Sequence, residues 1–370
     1  MIGFGIYDTF LDTGSKFVRI AKKLINDSGQ YLKDTFLENT DITLVLWGLV
    51  FFLIIYISLF AYLSYQKSIN KKGKIHFLSI LIPHFLVNIL DMFFTVIILY
   101  SIGFSVYLIT GQLVTDGNYF VEIESQVVYF YNEKIPTIVN MPYLLAIFFT
   151  IIFTDLPGYF LHWLTHKSRF LWYVVHRSHH TAEIMHPMGT GPVYGFGFLL
   201  GIPRFFITLA VSKFIYEEPL VIEMLVFYFF YILVEKFNHA SPFYDFAYRN
   251  KLVRYVSAFY GSGVYHYTHH SAREGEESVN IAGSFFNFWD RVFGTFVKPR
   301  KEKPAIGLTN QPDIILNPIT LYFSGLLTIG YELRNNSIKH WFNIIFGTVS
   351  YAPPQTKDYL ITAYNKPPIK

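Results

Sequence analysis

Two long stretches of this chain contain no charged residue, and they limit the folds open to it more than any other feature. Residues 42–66 run for 25 positions without a charge, and residues 135–154 run for 20. A helix needs about 20 apolar residues to cross roughly 30 Å of hydrocarbon. Only 15% of the chain is charged, whereas soluble domains carry about 25%. The sequence therefore predicts an all-α, integral-membrane helical bundle.

Further apolar stretches extend this pattern and suggest an orientation. Each contains a single charged residue: 75–109 contains Asp91, 191–211 contains Arg204, and 220–234 contains Glu223. The first is either one long tilted span or a span with an interfacial piece, and the other two form a hairpin. Lysines crowd the loop at 67–74, whereas the segment at 111–134 is acidic. Because basic loops stay in the cytosol, we expect the loop at 67–74 on the cytosolic side and the segment at 111–134 on the opposite side. We expect a multi-pass protein of the endoplasmic reticulum or bacterial inner membrane.

The ends of the chain differ from its centre. Within residues 1–40, apolar positions recur at helical spacing between lysines and an arginine, which predicts an amphipathic segment at the membrane surface; the alternative is a helix packed on a protein core. We expect a membrane-embedded domain with a cytosolic cap over 41–300 and a cytosolic or interfacial tail over 301–370. The absence of cysteine excludes disulfides, Fe–S clusters and haem-thiolate chemistry. A net charge of +4 gives no argument for nucleic acid.

Histidines are concentrated in four short segments. On an α-helix, residues three or four apart share a face, while adjacent residues point about 100° apart, so neighbouring histidines can serve two different ions. A buried polar group without a partner costs about 2–7 kcal/mol, and coordination of a metal removes that cost. The sequence therefore predicts a histidine-rich cap that binds two metal ions. The candidate ligands are His162, His166, His176, His179, His180, His239, His266, His269 and His270.

Other residues near these segments are candidates for supporting the ligands. Asp155 precedes His162 by seven residues, and carboxylates often accept the second N–H of a ligating imidazole. We expect Trp289, Asp290 and Arg291 to be structural, with Asp290 paired to Arg291. The residues predicted either to support the ligands or to complete the ligand set are Asp155, His186, Glu235, Asn238 and Asn280.

The residue types leave the chemistry partly open. Imidazole binds zinc, copper, iron and nickel alike, so a membrane zinc hydrolase and a metal- or haem-binding transporter remain alternatives. A hydrolase motif such as H-E-x-x-H contains its own carboxylate base, and none of these histidine segments has one. That difference favours oxygen chemistry. No G-x-G-x-x-G motif is present, so the chain has no evident site for a bound nucleotide.

Taken together, the motifs resemble the fatty acid hydroxylase / sterol desaturase superfamily of membrane di-iron enzymes. The tail around 307–354 is similar to bacterial sterol-desaturase-like proteins and to the alkylglycerol monooxygenase branch. One departure is Phe243, which stands where family members tend to have a further histidine, so that one metal position is open or uses His186. The segments that carry the resemblance are HWLTH (162–166), HRSHH (176–180), NHAS (238–241), HYTHH (266–270) and SVNIAGSFFNFWDRVFGTF (278–296).

The resemblance implies an oxidoreductase whose catalytic group is the metal centre itself. It implies two iron ions without haem, O2 as co-substrate, and hydroxylation or desaturation of a fatty acyl, sterol or ether lipid. Electrons are expected from a separate donor, either cytochrome b5 or a ferredoxin with its NAD(P)H-dependent reductase. The metal centre is expected on the cytosolic face of the bilayer.

Overall fold

The computed structural model describes residues 48–65, 74–110 and 129–361, with short gaps. The predicted amphipathic segment within 1–40 and most of the acidic segment at 111–134 lie outside the described residues. The predicted domain boundaries at 41 and 301 stay predictions. The gaps are 49, 60, 64, 130, 187–195, 219, 221–222, 225, 228, 232, 234–238, 240–242, 258, 260–262, 274–275, 277, 283–285 and 309–313.

The described residues form helices, and none of them belongs to a β-strand, which confirms the all-α prediction. A short π-helix (Trp172–His176) and two 3-10 helices (Arg177–Thr181 and Ile338–His340) interrupt the α-helices. The α-helices are α1 (Lys74–Thr110), α2 (Tyr143–Lys167), α3 (Arg169–Leu171), α4 (Phe198–Ile215), α5 (Phe243–Arg249), α6 (Lys251–Ser257), α7 (Gly263–His269), α8 (Phe288–Val292), α9 (Pro318–Asn335) and α10 (Trp341–Phe346).

Within the part of the chain that the structure describes, three helical stretches are long and apolar enough to cross a membrane: Leu78–Ile98 within α1, all of α2, and all of α4. Apolar side chains such as Met92, Phe148 and Ile207 are exposed along them, as expected for surfaces that face lipid rather than water. A shorter apolar helix runs over Val50–Leu63. The stretch predicted at 75–109 is one continuous helix.

The span predicted at 135–154 differs from the helix that forms. Helix α2 begins only at Tyr143 and continues past the charged Asp155 to Lys167. Pro136 and Pro142 disfavour helix in the residues before them, and the amides of Ile138 and Val139 instead donate to Phe214 O, both at 2.9 Å. The helix therefore carries the first histidine segment, which the predicted boundary excluded.

The described chain divides into two compact units, of which the first comprises the described residues of 48–51, 118–154 and 206–228. Its core contains Tyr143, Ala146 and Leu220. The Tyr143 hydroxyl donates to a carboxylate oxygen of Glu223, and Lys213 Nζ donates to a backbone carbonyl 2.8 Å away. These contacts satisfy polar groups inside an apolar unit.

The second unit comprises the described residues of 52–117, 155–205 and 229–361, and it contains all the candidate ligands. Helix α9 packs against both α1 and the π-helix. Its start is defined by Asn317, whose side chain accepts from the amides of Ile319 and Thr320, with Pro318 in the first turn, a typical helix N-terminus. Within α1, the Asp91 carboxylate accepts from Gly197 N at 2.8 Å and from the Tyr322 hydroxyl at 3.1 Å. The one charged side chain of that span is therefore bonded within the protein.

Candidate metal centre

The first group of histidines joins the end of α2 to the π-helix and α7. One ring nitrogen from each of four histidines lies within 4.8 Å of the others. All but His162 are fully buried, and His162 is partly buried. Four imidazoles at this spacing form a ligand set that is large enough for one metal ion. The members are His162, His166, His176 and His269.

A second group of the same size lies beside the first. It joins the 3-10 helix that follows the π-helix to α7 and to the segment before α5, and its ring nitrogens also lie within 4.8 Å of one another. All of its members are buried. Of the adjacent pair His269 and His270, the first residue belongs to the first group and the second residue to the second group. The members of the second group are His179, His239, His266 and His270.

His180 lies between the two groups. Its Nε2 atom is 3.0 Å from His176 Nε2 of the first group. Its ring stacks on His270 of the second group, with centroids 4.3 Å apart and planes 23° apart. A third set of close ring nitrogens is formed by His180, His269 and His270. All nine predicted ligands therefore converge in one place, and His180 is positioned to serve either group.

The backbone that carries HRSHH differs from the α-helix assumed from its spacing. His176 ends the π-helix, and the next five residues form a 3-10 helix. The Arg177 amide donates to Trp172 O, five residues back. π-Turns of this kind are frequent at functional sites. The first four residues of the HYTHH segment do lie on an α-helix, α7, and His270 directly follows its last residue.

Backbone carbonyls fix which nitrogen of two rings points into the site. His162 Nδ1 lies 2.6 Å from Ile281 O, and His269 Nδ1 lies 2.9 Å from Val279 O. A carbonyl only accepts, so each Nδ1 carries the proton and each Nε2 carries the lone pair. Holding the second nitrogen in this way is usual for ligating histidines. The sequence could not identify these carbonyls, because every residue has a backbone oxygen whatever its side chain.

The separations between ring nitrogens agree with metal coordination. His176 Nε2 lies 3.0 Å from the Nε2 atoms of both His162 and His180. His266 Nε2 lies 2.7 Å from His239 Nε2 and 3.0 Å from His270 Nε2. Nitrogens bound about 2.0–2.1 Å from one ion and at right angles are about 2.8–3.0 Å apart.

Hydrogen bonding alone accounts poorly for this arrangement. A neutral imidazole donates one hydrogen bond, so His176 Nε2 can satisfy only one of its two close neighbours. His269 Nε2 is buried and has no hydrogen-bond partner among the described residues, and its lone pair faces the other rings. Coordination of a metal ion therefore explains the positions of these nitrogens better than hydrogen bonds among the histidines do.

Burial keeps the imidazoles neutral, which is the form that binds metals. Desolvation lowers the pKa of His266 from its ordinary 6.5 to about 3. For the other histidines outside the membrane spans whose pKa is lowered, burial is again the largest cause. For most of them several neighbouring imidazoles lower the pKa further. The pKa lies well below the ordinary range for His176, His179, His180, His269 and His270.

Asp155 and Asn280 hold the backbone around the site. Asp155 Oδ2 accepts from Phe286 N and from the Trp289 indole N–H, both at 3.1 Å; its role as a partner of a ligating imidazole stays a prediction. The Asn280 side chain donates to Val297 O at 3.0 Å and accepts from Val297 N at 2.8 Å. Asn280 thereby fixes the loop that contributes both ligand-orienting carbonyls.

The predicted ion pair between Asp290 and Arg291 does not form. Asp290 is buried and accepts from the Thr295 hydroxyl at 2.6 Å and from Ala282 N at 3.1 Å, and burial raises its pKa to about 6. Arg291 is exposed, with its guanidinium 4.4 Å from the centre of the Phe296 ring. Neighbouring residues of a helix point about 100° apart, so one side chain turns inward and the other outward.

The remaining candidates lie apart from the two groups or outside the described residues. His186 is buried with its ring 5.7 Å from that of His84, and it belongs to neither group. His84 lies within hydrogen-bond distance of Ile80 O and the Thr181 hydroxyl. Glu235 and Asn238 lie outside the described residues. Trp172, which the sequence did not single out, has its ring 5.2 Å from His166 and 5.3 Å from His180.

Comparison with known proteins gives a consistent result. Residues 147–295 match the family model described as fatty acid hydroxylase. The sphingolipid C4-hydroxylase of Saccharomyces cerevisiae is 28% identical over 161 residues, which cover 43% of this chain and 42% of that protein. The match thus spans less than half of that relative. No solved structure matches the chain. These matches confirm the resemblance to the fatty acid hydroxylase / sterol desaturase superfamily that the histidine motifs predicted, and the family model matches over residues 147–295.

Proposed function

We propose that this chain is a membrane-bound, O2-dependent lipid hydroxylase with a non-haem di-iron centre. The observation that carries the proposal is the convergence of nine histidines into two groups of four with His180 between them. The description of the matching family model supports hydroxylation of an aliphatic C–H bond. The name of the yeast relative adds sphingoid lipids to the fatty acyl, sterol and ether-lipid substrates predicted from the sequence.

In this proposal each group of four histidines holds one ion, and His180 completes the coordination of either. Bound iron supplies the redox chemistry that activates O2. The residues of the chain keep the ligands neutral by burial and orient His162 and His269 through Ile281 O and Val279 O. The ring of Trp172, beside His166 and His180, shields one side of the site from water.

The overall reaction inserts one oxygen atom into a C–H bond and releases the other as water. It needs electrons and protons from outside the chain. We propose cytochrome b5, or a ferredoxin with its reductase, as the donor, and the cytosolic face of the endoplasmic reticulum or bacterial inner membrane as the site of reaction. The cytosolic face is supported by the lysine-rich loop at 67–74, because basic loops stay in the cytosol.

The first experiment measures metal content and lipid products together. The purified full-length protein in detergent is expected to hold about two iron ions per chain, one for each histidine group. His162→Ala and His179→Ala each remove a ligand from a different group and are expected to lower the iron content. His340→Ala is the matched control, because His340 Nδ1 lies 2.6 Å from the Tyr351 hydroxyl, away from both groups.

The second part follows the lipids of cells that express each variant. Mass spectrometry is expected to show an oxygenated sphingoid, fatty acyl or sterol product with the native chain and His340→Ala, and none with the two ligand variants. Growth without O2 is expected to abolish the product. Iron-loaded protein that yields no oxygenated or desaturated lipid contradicts the proposal, while anaerobic turnover with zinc supports a hydrolase and a Soret band supports haem.

A further inference from the structure

The C-terminal region, which lies beyond the matched family domain, contacts the segment that carries the second histidine motif. Glu332 of α9 and Asp358 of the following tail pair with Arg169 and Arg177, which lie on either side of the π-helix. The family match ends at residue 295, so neither acidic residue belongs to it. These contacts join residues about 160 to 180 positions apart in the chain.

Arg169 is almost completely enclosed by the C-terminal region. Its guanidinium lies 2.7 Å from Glu332 Oε2, and the two side chains are only 1% and 0% exposed. Its Nε donates to Tyr351 O at 3.0 Å, and its backbone amide donates to Gly347 O at 2.9 Å. A buried pair with this many hydrogen bonds fixes the position of both partners.

Arg177 stands inside the HRSHH motif, directly after His176. It lies 2.5 Å from Asp358 Oδ2, with the two side chains 10% and 8% exposed. The guanidinium carbons of Arg177 and Arg169 both approach the ring of Tyr173, at 4.7 Å and 4.6 Å from its centre. The tyrosine thus connects the two ion pairs by cation–π contacts.

Gly325 allows α9 to reach the backbone of the same segment. A Cβ at this position would lie 1.9 Å from Tyr173 O and 2.7 Å from Val174 Cα. No residue other than glycine fits there without displacing the π-helix. The close approach and the two ion pairs act on one segment of nine residues, 169–177, which ends three residues before His180.

We propose that Arg177 is a positioning residue, and that its contact with Asp358 sets the geometry of the metal site through the π-helix. We name the set Arg169, Tyr173, Arg177, Glu332 and Asp358 the C-terminal clamp. None of the clamp residues belongs to either histidine group. It holds the backbone from which His176 projects into the first group, and from which His179 and His180 follow. This inference rests on the proposed metal centre.

The test uses Co²⁺, whose visible absorption reports ligand geometry, titrated into metal-free full-length protein in detergent. Asp358→Asn removes the charge that faces Arg177 without touching a histidine segment. It is expected to weaken Co²⁺ binding about tenfold or more, as loss of a supporting partner does in other metal sites, and to shift the absorption bands. Arg334→Gln is the matched control, because Arg334 is an exposed charged residue of α9.

Two further variants separate positioning from general stability. Arg177→Lys retains the charge and is expected to bind Co²⁺ more tightly than Arg177→Gln. Tyr173→Leu removes the ring between the guanidiniums while leaving both ion pairs, and it replaces Asp358→Asn in the test if that variant does not fold. Thermal unfolding of the metal-free proteins identifies any variant whose weaker binding merely follows lower stability.

The outcomes distinguish the two proposals. If His179→Ala weakens Co²⁺ binding but Asp358→Asn, or Tyr173→Leu in its place, binds Co²⁺ with native affinity and spectrum, the clamp has no positioning role. If His179→Ala binds Co²⁺ as the native chain does, the proposed metal centre itself fails. Weakened binding with shifted bands in the clamp variants, and native behaviour in Arg334→Gln, supports the inference.

Discussion

Replacement of Gly325 by alanine tests the packing of α9 on the π-helix most directly. The new Cβ would lie 1.9 Å from Tyr173 O, whereas nonbonded carbon atoms prefer separations of about 3.5–4.0 Å. The two backbones must therefore move apart by about 1.5 Å or more to reach that range. The obstructing atoms belong to the main chain, so a change of rotamer cannot relieve the contact.

The expected cost follows from these distances. Overpacking of a well-packed core costs about 1–3 kcal/mol and occasionally more, and a backbone obstacle places Gly325→Ala at the upper end. Alanine in a helix interior recovers about 1 kcal/mol relative to glycine. The net expectation is a loss of about 2 kcal/mol in the free energy of unfolding, together with weaker metal binding because His176 ends the displaced segment.

Gly330 in the same helix provides a matched control. A Cβ there meets nothing within 4 Å, so Gly330→Ala keeps only the helix-propensity gain of about 1 kcal/mol. Thermal unfolding in detergent, followed by intrinsic tryptophan fluorescence, is expected to shift by about 2 °C per kcal/mol, downward for Gly325→Ala and upward for Gly330→Ala. Equal shifts for the two variants, or an unchanged midpoint for Gly325→Ala, would refute the packing described here.

Three other predictions concern charge and metal. Glu332→Gln leaves the buried Arg169 guanidinium without its counter-charge and is expected to cost about 3–5 kcal/mol, measured by the same unfolding assay against Arg334→Gln. In metal-free protein the pKa of His266 is about 3 when folded and near 6.5 when unfolded, so the unfolded chain binds the proton first as the pH falls. The free energy of unfolding is therefore expected to be constant above about pH 6.5 and to fall below it by about 1.4 kcal/mol per pH unit for each such histidine. An unfolding midpoint that stays flat from pH 7 to 5 contradicts this. Removal of metal by a chelator is expected to lower the unfolding midpoint, by about 2.7 kcal/mol in free energy if the ion was present at 100 times its dissociation constant, and added metal is expected to restore it in the native chain but not in His179→Ala.

The membrane class and the histidine clustering could be predicted from the sequence for simple physical reasons. Uncharged stretches such as 135–154 have few stable states outside a bilayer, and closely spaced imidazoles in an apolar chain need partners. The sequence also suggests that His269 and His270 can face different groups, because adjacent residues of a helical turn point about 100° apart. Each of these predictions depends on neighbours along the chain.

The features that sequence missed depend on contacts between distant residues. Arg169 and Glu332 are 163 positions apart, and nothing in the spacing of either marks them as a pair. The orienting carbonyls of Val279 and Ile281 are invisible in a list of side chains. The prediction that Asp290 pairs with Arg291 was wrong because closeness in sequence was taken for closeness in space.

The π-helix links the C-terminal clamp to the metal site by geometry. An α-helix advances 100° per residue, so residues four apart drift by about 40° around the axis, and a continuous α-helix would carry Arg169, Tyr173 and Arg177 progressively off one face. The wider π-turn over Trp172–His176 opposes that drift. Both guanidiniums consequently reach the same tyrosine ring. If the turn relaxed to an α-helix, Arg177 would leave the clamp and His176 would rotate out of the first group. The clamp and the orientation of His176 therefore depend on the same turn of the backbone.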